Sequence, residues 1–296
     1  GLDSKKAIEE YGIAKFNQEC KECVWEYLDV WNKFTKRIGF WVDQEHPYVT
    51  YENNYIESLW NVLKKVDDQK LLYKDYKVVP WCPRCGTALS SHELAQGYED
   101  VKDLSVYVKF RLKAVPRLRS GRENMSTYFL AWTTTPWTLP GNVALAVGKD
   151  IDYVEIKVNE EILVLAKERL SIITDPYEII AEHKGSEMVG MQYEQLFTFL
   201  ADIVSESEKA KLAKAFRVYE ADFVNTIDGT GIVHTAVMYG QDDFELGTAV
   251  GLPKHHMVDL EGKFIKGTGF LEGRFVKEAD ANGKPTLAVD IIKYLT

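Results

Sequence analysis

The sequence has no long apolar run. None of its 296 residues falls in a hydrophobic stretch near the roughly 20 residues that span a bilayer, so no membrane-crossing helix is expected. The opening residues Gly1-Leu2-Asp3-Ser4-Lys5-Lys6 have no apolar signal-peptide segment, and a cytoplasmic protein is expected. Cysteine is scarce: four in so long a chain exclude a disulfide framework. Excess positive charge is also missing. With 36 Lys and Arg against 45 Asp and Glu, the net charge of −9 excludes a surface that is wholly a nucleic-acid footprint, though not a local one. Internal repeats and low-complexity tracts are absent too.

What is present is enough apolar material for a sizeable core. At 46% hydrophobic and 12% aromatic residues, the chain should fold into one or two domains. Its character changes near residue 100. Earlier, Cys20 and Cys23 share a helical pattern with Val24, Tyr27, Leu28, Trp31 and Phe34, and Ile56, Leu59, Trp60, Leu63 and Val66 recur at helical spacing. Cys20 and Cys23 therefore read as helix-packing residues. Cys82-Pro83-Arg84-Cys85-Gly86 instead has the form of a zinc knuckle, whose tight turn aims two thiolates at one ion. It supplies two of the four ligands a structural site needs; His92 is a further donor but reads better as an exposed or capping residue.

Later, strand patterns dominate. Leu104, Val106, Val108, Phe110 and Leu112 alternate with Ser105, Tyr107, Lys109, Arg111 and Lys113, the period-two signature of a half-buried strand. Further β runs span 128–132, 143–147, 153–158 and 162–166, kept short by Gly121, Pro136, Pro140, Gly148, Asp150 and the Asn159-Glu160 turn. Helices are expected over 206–215 and 243–250, the latter stopping before Gly251 and Pro253, and a last element lies around 288–294. Lys102, Lys109, Arg111, Lys113, Arg117, Arg119 and Arg122 form a basic run that is either a solvated strand face or a tRNA contact.

Two polar loops carry the chemistry. Trp132-Thr133-Thr134-Thr135-Pro136-Trp137-Thr138-Leu139-Pro140-Gly141-Asn142 crowds hydroxyls and a carboxamide around two prolines. Gly229-Thr230-Gly231-Ile232-Val233-His234-Thr235-Ala236 follows about ninety residues later, with Gly240-Gln241-Asp242-Asp243-Phe244 after it. Both, in this order, resemble the editing domain inserted in isoleucyl-tRNA synthetases. The likeness extends to Tyr55-Ile56-Glu57-Ser58-Leu59-Trp60, to Val78-Val79-Pro80-Trp81-Cys82-Pro83-Arg84-Cys85-Gly86-Thr87 and to Leu89-Ser90-Ser91-His92-Glu93.

The resemblance implies an α+β fold with a mainly β, barrel-like editing domain and peripheral helices. Residues 1–79 would be a helical flanking segment of the synthetase core, 80–100 a Cys-x-x-Cys ribbon, 101–260 the editing domain and 261–296 a returning connective segment. It implies hydrolysis of valine mischarged onto tRNA(Ile), with valyl-adenylate as a further candidate substrate. One missing methylene changes affinity too little for a synthetic site alone to exclude valine, a limit for which this family is itself the standard example. A second pocket that admits valine and rejects isoleucine completes the selection.

By the same matching, Asp243 receives the substrate ammonium, and its place at a helix N-terminus is expected to keep it ionised; Asp242 reads as the helix cap. His234 and Thr138 judge the side chain by size. Thr133, Thr134 and Thr135 contact the ammonium, the ester and the ribose hydroxyls, and Asn142 supports the reaction geometry. Hydroxyls both donate and accept, so the cluster can orient water without acting as a strong base. A threonine nucleophile would need an activating base, and no His or Lys lies in the threonine motif to supply one, so direct hydrolysis is expected.

No metal or cofactor is expected for editing. Some family members carry a second cysteine pair beyond this region, which makes Cys82 and Cys85 a half-site for zinc in a full-length protein. The sequence holds no His-x-Gly-His or Lys-Met-Ser-Lys-Ser segment, so ATP and magnesium would serve only the parent enzyme. The implied partners are the valine-bearing 3′ end of tRNA(Ile) and the remainder of the synthetase chain, with a monomer expected and no membrane. Val237-Met238-Tyr239 and Gln241 depart from the family pattern beside His234. A valyl- or leucyl-type editing domain and a non-catalytic tRNA-binding module remain the alternatives.

Overall fold

A computed structural model describes residues 1–113 and 125–296, which form two compact units, Gly1–Lys77 and Val78–Thr296. The basic residues Arg117, Arg119 and Arg122 and the turn residue Gly121 lie outside the described residues.

The first unit is helical. Helix α1 (Lys5–Tyr11) starts where Ser4 Oγ accepts the Ala7 N–H, one of the donors a helix leaves unpaired at its start. It stops at Gly12, and α2 (Ile13–Arg37) and α3 (Asn53–Asp68) follow. None of the three buries a residue. The helical spacing of the apolar residues therefore places the helices correctly, but Cys20 and Cys23 are exposed on α2 rather than packed, and Trp31 and Trp60 stay about two-thirds exposed.

In the second unit, β1 (Trp81–Cys82) and β2 (Thr87–Ala88) form a two-residue hairpin around the Cys-x-x-Cys turn. Helix α4 (Ser91–Ala95) follows behind a reciprocal Ser90/Glu93 capping box, so His92 is exposed and Ser90 is the cap. Eight strands build the core: β3 (Val106–Arg111), β4 (Ser126–Thr133), β5 (Ala144–Val147), β6 (Asp152–Val158), β7 (Glu161–Ala166), β8 (Glu178–Lys184), β9 (Arg217–Glu220) and β10 (Ile232–Thr235). Five pair in the order β3-β4-β7-β6-β8, antiparallel except for β4 with β7, and three pair as β10-β5-β9.

Strand β3 shows why the alternation was readable: Val108 and Phe110 are buried while Tyr107, Lys109 and Arg111 face outward. The Lys109 and Arg111 head groups sit against Glu161 and Glu194, so acids from distant segments pair with two of the basic residues on this strand. One apolar cluster lies between the sheets around Phe110, Phe129, Leu145, Tyr153 and Tyr193. A smaller one, around Val154, Ile156, Leu163 and Leu165, covers the other face of the five-stranded sheet, where Leu170, Ile172 and Ile173 pack on it.

The expected barrel is not closed. Among the described residues, β3 and β9 are linked through the single bridges Leu112 to Tyr193 and Gln192 to Arg217 rather than by a ladder, and β8 is an edge strand. A continuous barrel needs a full ladder at every seam. Short helices fill the surround: α5 (Gly185–Met188), α6 (Phe199–Ile203), α7 (Glu206–Lys209), α8 (Gln241–Val250) and α9 (Leu287–Leu295). The helix expected over 206–215 is α7 continued by a 3₁₀ turn through Lys214, and α8 ends at Gly251, whose φ of 76° is the left-handed stop anticipated there.

Candidate functional site

Strand β4 delivers Thr133 to its end, and the chain then turns into a 3₁₀ helix over Pro136–Gly141, with proline at its first turn where no N–H is needed. This turn buries Thr138 and hands the chain through Asn142 to β5. Strand β10 pairs antiparallel with β5, opposing His234 to Leu145 and Thr235 to Ala144, and so brings the second loop beside the first.

The loop entering β10 is fitted to its neighbours. Gly231 has φ 73°, and a Cβ there would lie 2.4 Å from the Ala166 Cβ, so a side chain is excluded both by backbone and by space. The buried Tyr153 hydroxyl donates to the Gly231 carbonyl at 2.6 Å and accepts the Gly148 N–H at 3.0 Å. Burial pushes that phenol up to about 12, so it stays a neutral donor. The Arg169 guanidinium donates to the carbonyls of Gly229, Thr226 and Ile227 from the other side.

Five of the expected residues join one hydrogen-bonded chain. Thr133 Oγ1 lies 3.2 Å from Thr135 Oγ1 and accepts the Thr135 N–H at 3.1 Å. Thr135 Oγ1 lies 3.3 Å from Thr138 Oγ1, which donates to the Thr135 carbonyl at 2.8 Å and meets His234 Nε2 at 2.8 Å. Asn142 Nδ2 meets His234 Nδ1 at 3.2 Å and donates to the Ala144 carbonyl at 2.9 Å; its Oδ1 accepts the Tyr193 hydroxyl at 2.7 Å. Thr134 is exposed and takes no part.

His234 is buried, and desolvation of its cation pushes its pKa down to about 4, so the ring is neutral at physiological pH. Thr138 Oγ1 has one hydrogen and two neighbours at 2.8 Å, the Thr135 carbonyl, which can only accept, and His234 Nε2, whose role follows from the ring's tautomer.

Asp243 stands in the first turn of α8, whose N-cap is Gly240 without any side-chain cap. Asp242 is therefore not the cap; it is exposed beside it. The Asp243 carboxylate packs against Gly240 and takes the Ala236 N–H, which ties α8 to the end of β10. Ala236 in turn lies next to Gly141 of the threonine loop, 3.9 Å from where a Cβ on that glycine would be. Burial raises the Asp243 pKa to about 7, Asp242 adds to the rise, and the Ala236 N–H opposes it. The expectation that a helix N-terminus would keep this carboxylate firmly ionised is thus corrected: desolvation outweighs the helix end.

The cysteine turn offers less than a metal site. Cys82 Sγ accepts the Cys85 N–H at 3.4 Å, which favours a thiolate on Cys82, while the neighbouring sulfur raises the Cys85 pKa. Among the described residues no group of three or more ligating side chains gathers, so two thiols alone do not satisfy a four-coordinate ion.

Two residues of the site carry no motif signal. Tyr193 closes the Asn142 end of the network from a segment 51 residues away. Tyr239 stacks edge-on with Trp137 at 5.0 Å and accepts the Met257 N–H at 2.6 Å, filling the position where the family pattern is broken.

The chain is 52% identical over 280 residues to an isoleucine–tRNA ligase of Clostridium acetobutylicum, covering 95% of this chain and 25% of that protein. It is 44% identical over 296 residues to isoleucine–tRNA ligase 2 of Bacillus anthracis, covering 100% of this chain and 26% of that one. The chain thus spans about a quarter of the length of the curated relatives it matches. Among solved structures, the editing domain of the P. falciparum cytosolic leucyl-tRNA synthetase aligns with a TM-score of 0.35 and 14% identity over 47% of this chain and 63% of that one. Residues 1–258 match the family of class I tRNA synthetases for I, L, M and V, and the chain belongs to that family.

Proposed function

We propose that this chain is the proofreading region of an isoleucyl-tRNA synthetase, hydrolysing valine esterified to tRNA(Ile), with valyl-adenylate as a second candidate substrate. The observation that carries the reading is the Thr133-Thr135-Thr138-His234 network, with Asp243 held at Ala236, the residue that follows the strand bearing His234. In its ionised form Asp243 pairs with the substrate ammonium. His234, neutral and buried, acts with Thr138 as a wall that judges the side chain by size. Thr133 and Thr135 retain lone pairs, and their mutual contact can run in either direction, so the outer end of the network can accept from a water or donate to an ester oxygen. Thr134, exposed on the same loop, is assigned to the ribose.

Water attacks the ester carbonyl directly, the ribose hydroxyl leaves with a proton, and no covalent enzyme intermediate forms. The parent enzyme would join isoleucine to tRNA(Ile) with ATP and magnesium, and zinc at Cys82 and Cys85 would need ligands from elsewhere in that longer protein. The test is deacylation of valyl-tRNA(Ile) and isoleucyl-tRNA(Ile) by the chain, by Asp243→Ala and by His234→Ala. Valyl ester hydrolysis that is lost in Asp243→Ala, with isoleucyl ester hydrolysis gained in His234→Ala, supports the reading. Tight tRNA binding with no turnover of either ester would favour the binding-module alternative instead.

A further inference from the structure

The structure assigns Asn142 and Tyr193 to a tautomer lock on His234: they hold the imidazole as the neutral form protonated at Nε2 and make neither of themselves a contact for substrate. The argument is one of hydrogen counting. Asn142 is buried, and its amide orientation is set at two points. The Ala144 carbonyl can only accept, so the group facing it at 2.9 Å must be the NH₂. The Tyr193 hydroxyl donates at 2.7 Å to the opposite side, so the group there is the oxygen.

The second Nδ2 hydrogen then points at His234 Nδ1, 3.2 Å away, which must be a bare acceptor. A neutral ring with Nδ1 bare carries its proton on Nε2, and that proton goes to Thr138 Oγ1 at 2.8 Å. Thr138 in turn sends its hydrogen to the Thr135 carbonyl. Every polar hydrogen from Tyr193 to Thr138 is accounted for, and all point the same way along the chain.

Two consequences follow for the site, and both rest on its reading as a size-selective ester hydrolase. Asn142 has no hydrogen left for a substrate, so it is a positioning residue. His234 has neither a free lone pair nor a spare proton, so it discriminates by shape and transfers nothing. Tyr193 matters because it breaks the near-symmetry of the Asn142 amide. Its ring is wedged edge-on between Phe110, at 5.3 Å, and Phe216, at 6.2 Å, which leaves the hydroxyl little choice of direction. Without that donor Oδ1 is left buried with no hydrogen to accept, and only the Ala144 carbonyl still opposes rotation of the amide; the rotated form would let Oδ1 accept a hydrogen on His234 Nδ1, reversing the tautomer and turning the Thr138 hydroxyl toward Nε2.

The test reads the ring nitrogens without substrate. Long-range ¹H–¹⁵N correlation spectra of the ¹⁵N-labelled chain distinguish a protonated from a bare imidazole nitrogen, and His234→Gln identifies the His234 signal among the six histidines. Wild-type His234 is expected to show Nε2 protonated and Nδ1 bare from pH 8 to pH 5. Asn142→Asp replaces the amide donor with an acceptor of the same shape and should put a proton on Nδ1. Tyr193→Phe keeps the ring contacts and should populate both tautomers.

A wild-type signal with Nδ1 protonated, or one that titrates as an ordinary exposed histidine, overturns the lock. A shift in Asn142→Asp with none in Tyr193→Phe removes Tyr193 from it. Ester assays on the same samples separate the two claims: the expected tautomer in a chain that hydrolyses no ester leaves the lock standing and counts against the hydrolase reading. With an active chain, Tyr193→Phe should narrow the preference for the valyl over the isoleucyl ester several-fold.

Discussion

Replacing Asp243 by Asn should stabilise the protein at pH 8 while abolishing ester hydrolysis. The carboxyl's ordinary value of 3.8 is raised to about 7 in the fold, chiefly by burial. A raised folded-state pKa means that the folded chain holds the proton more tightly than the unfolded chain does. The stability this group contributes is therefore complete below about pH 4, falls as pH rises from 4 to 7, and is fully lost above 7. A shift of about three units at about 1.36 kcal/mol per unit sets a ceiling of about 4 kcal/mol on the cost of the ionised form. Part of that fall is over by pH 5, and solvent at the partly open carboxylate screens the rest, leaving about 2 kcal/mol between pH 5 and pH 8.

Asparagine has the shape of the protonated acid and never ionises. Its advantage over the wild type should thus grow by about 2 kcal/mol from pH 5 to pH 8, or roughly 4–8 °C in the melting of the Val78–Thr296 unit, read by calorimetry at both pH values. A gain that is the same at both pH values would refute the reasoning, because it would show that burial of the charge is not what the substitution relieves. The functional side has the same origin. If ionised Asp243 is the ammonium partner, single-turnover deacylation by the wild type should rise with pH through about 7 and level off above it. A flat profile across that range would remove Asp243 from the binding step.

What the sequence made legible was local. Strand β3 was readable because Val108 and Phe110 alternate with charged residues, and α8 because Gly251 stands where a helix must turn left-handed. The threonine loop was readable because its prolines and hydroxyls lie within one turn of chain. Strands β8 and β9 were not: Glu178–Lys184 buries no residue fully, and Arg217–Glu220 is a four-residue strand defined by pairing with β5 rather than by its own pattern. Closure of the sheets was equally beyond reach, since it turns on single bridges, Leu112 to Tyr193 and Gln192 to Arg217, that no local pattern marks. The ionisation of Asp243 depends on what surrounds it, which a helix-end argument leaves out. Tyr193 left no trace in any motif, because its role is one hydroxyl arriving across the core.

The loop that carries His234 supplies two further tests, both of the same physical claim that its path is held from outside the loop. Tyr153→Phe removes a donor to the Gly231 carbonyl and an acceptor for the Gly148 N–H, both buried, and should cost about 1–3 kcal/mol in a urea titration with little change in its slope. Gly231→Ala should cost more, about 3 kcal/mol or above, because two penalties add. The alanine must adopt a φ of 73°, which disfavours any Cβ, and its methyl would lie 2.4 Å from the Ala166 Cβ, closer than two carbons can approach. Relief requires the loop to move off β7, and β10 begins one residue later at Ile232, so the displacement passes directly into the strand that positions His234. The variant should therefore lose its preference for the valyl ester in proportion to its loss of stability. Tyr153→Phe, which leaves the glycine conformation intact, should keep that preference. Equal loss of selectivity in both variants would show that His234 is placed by the general stability of the core rather than by this loop.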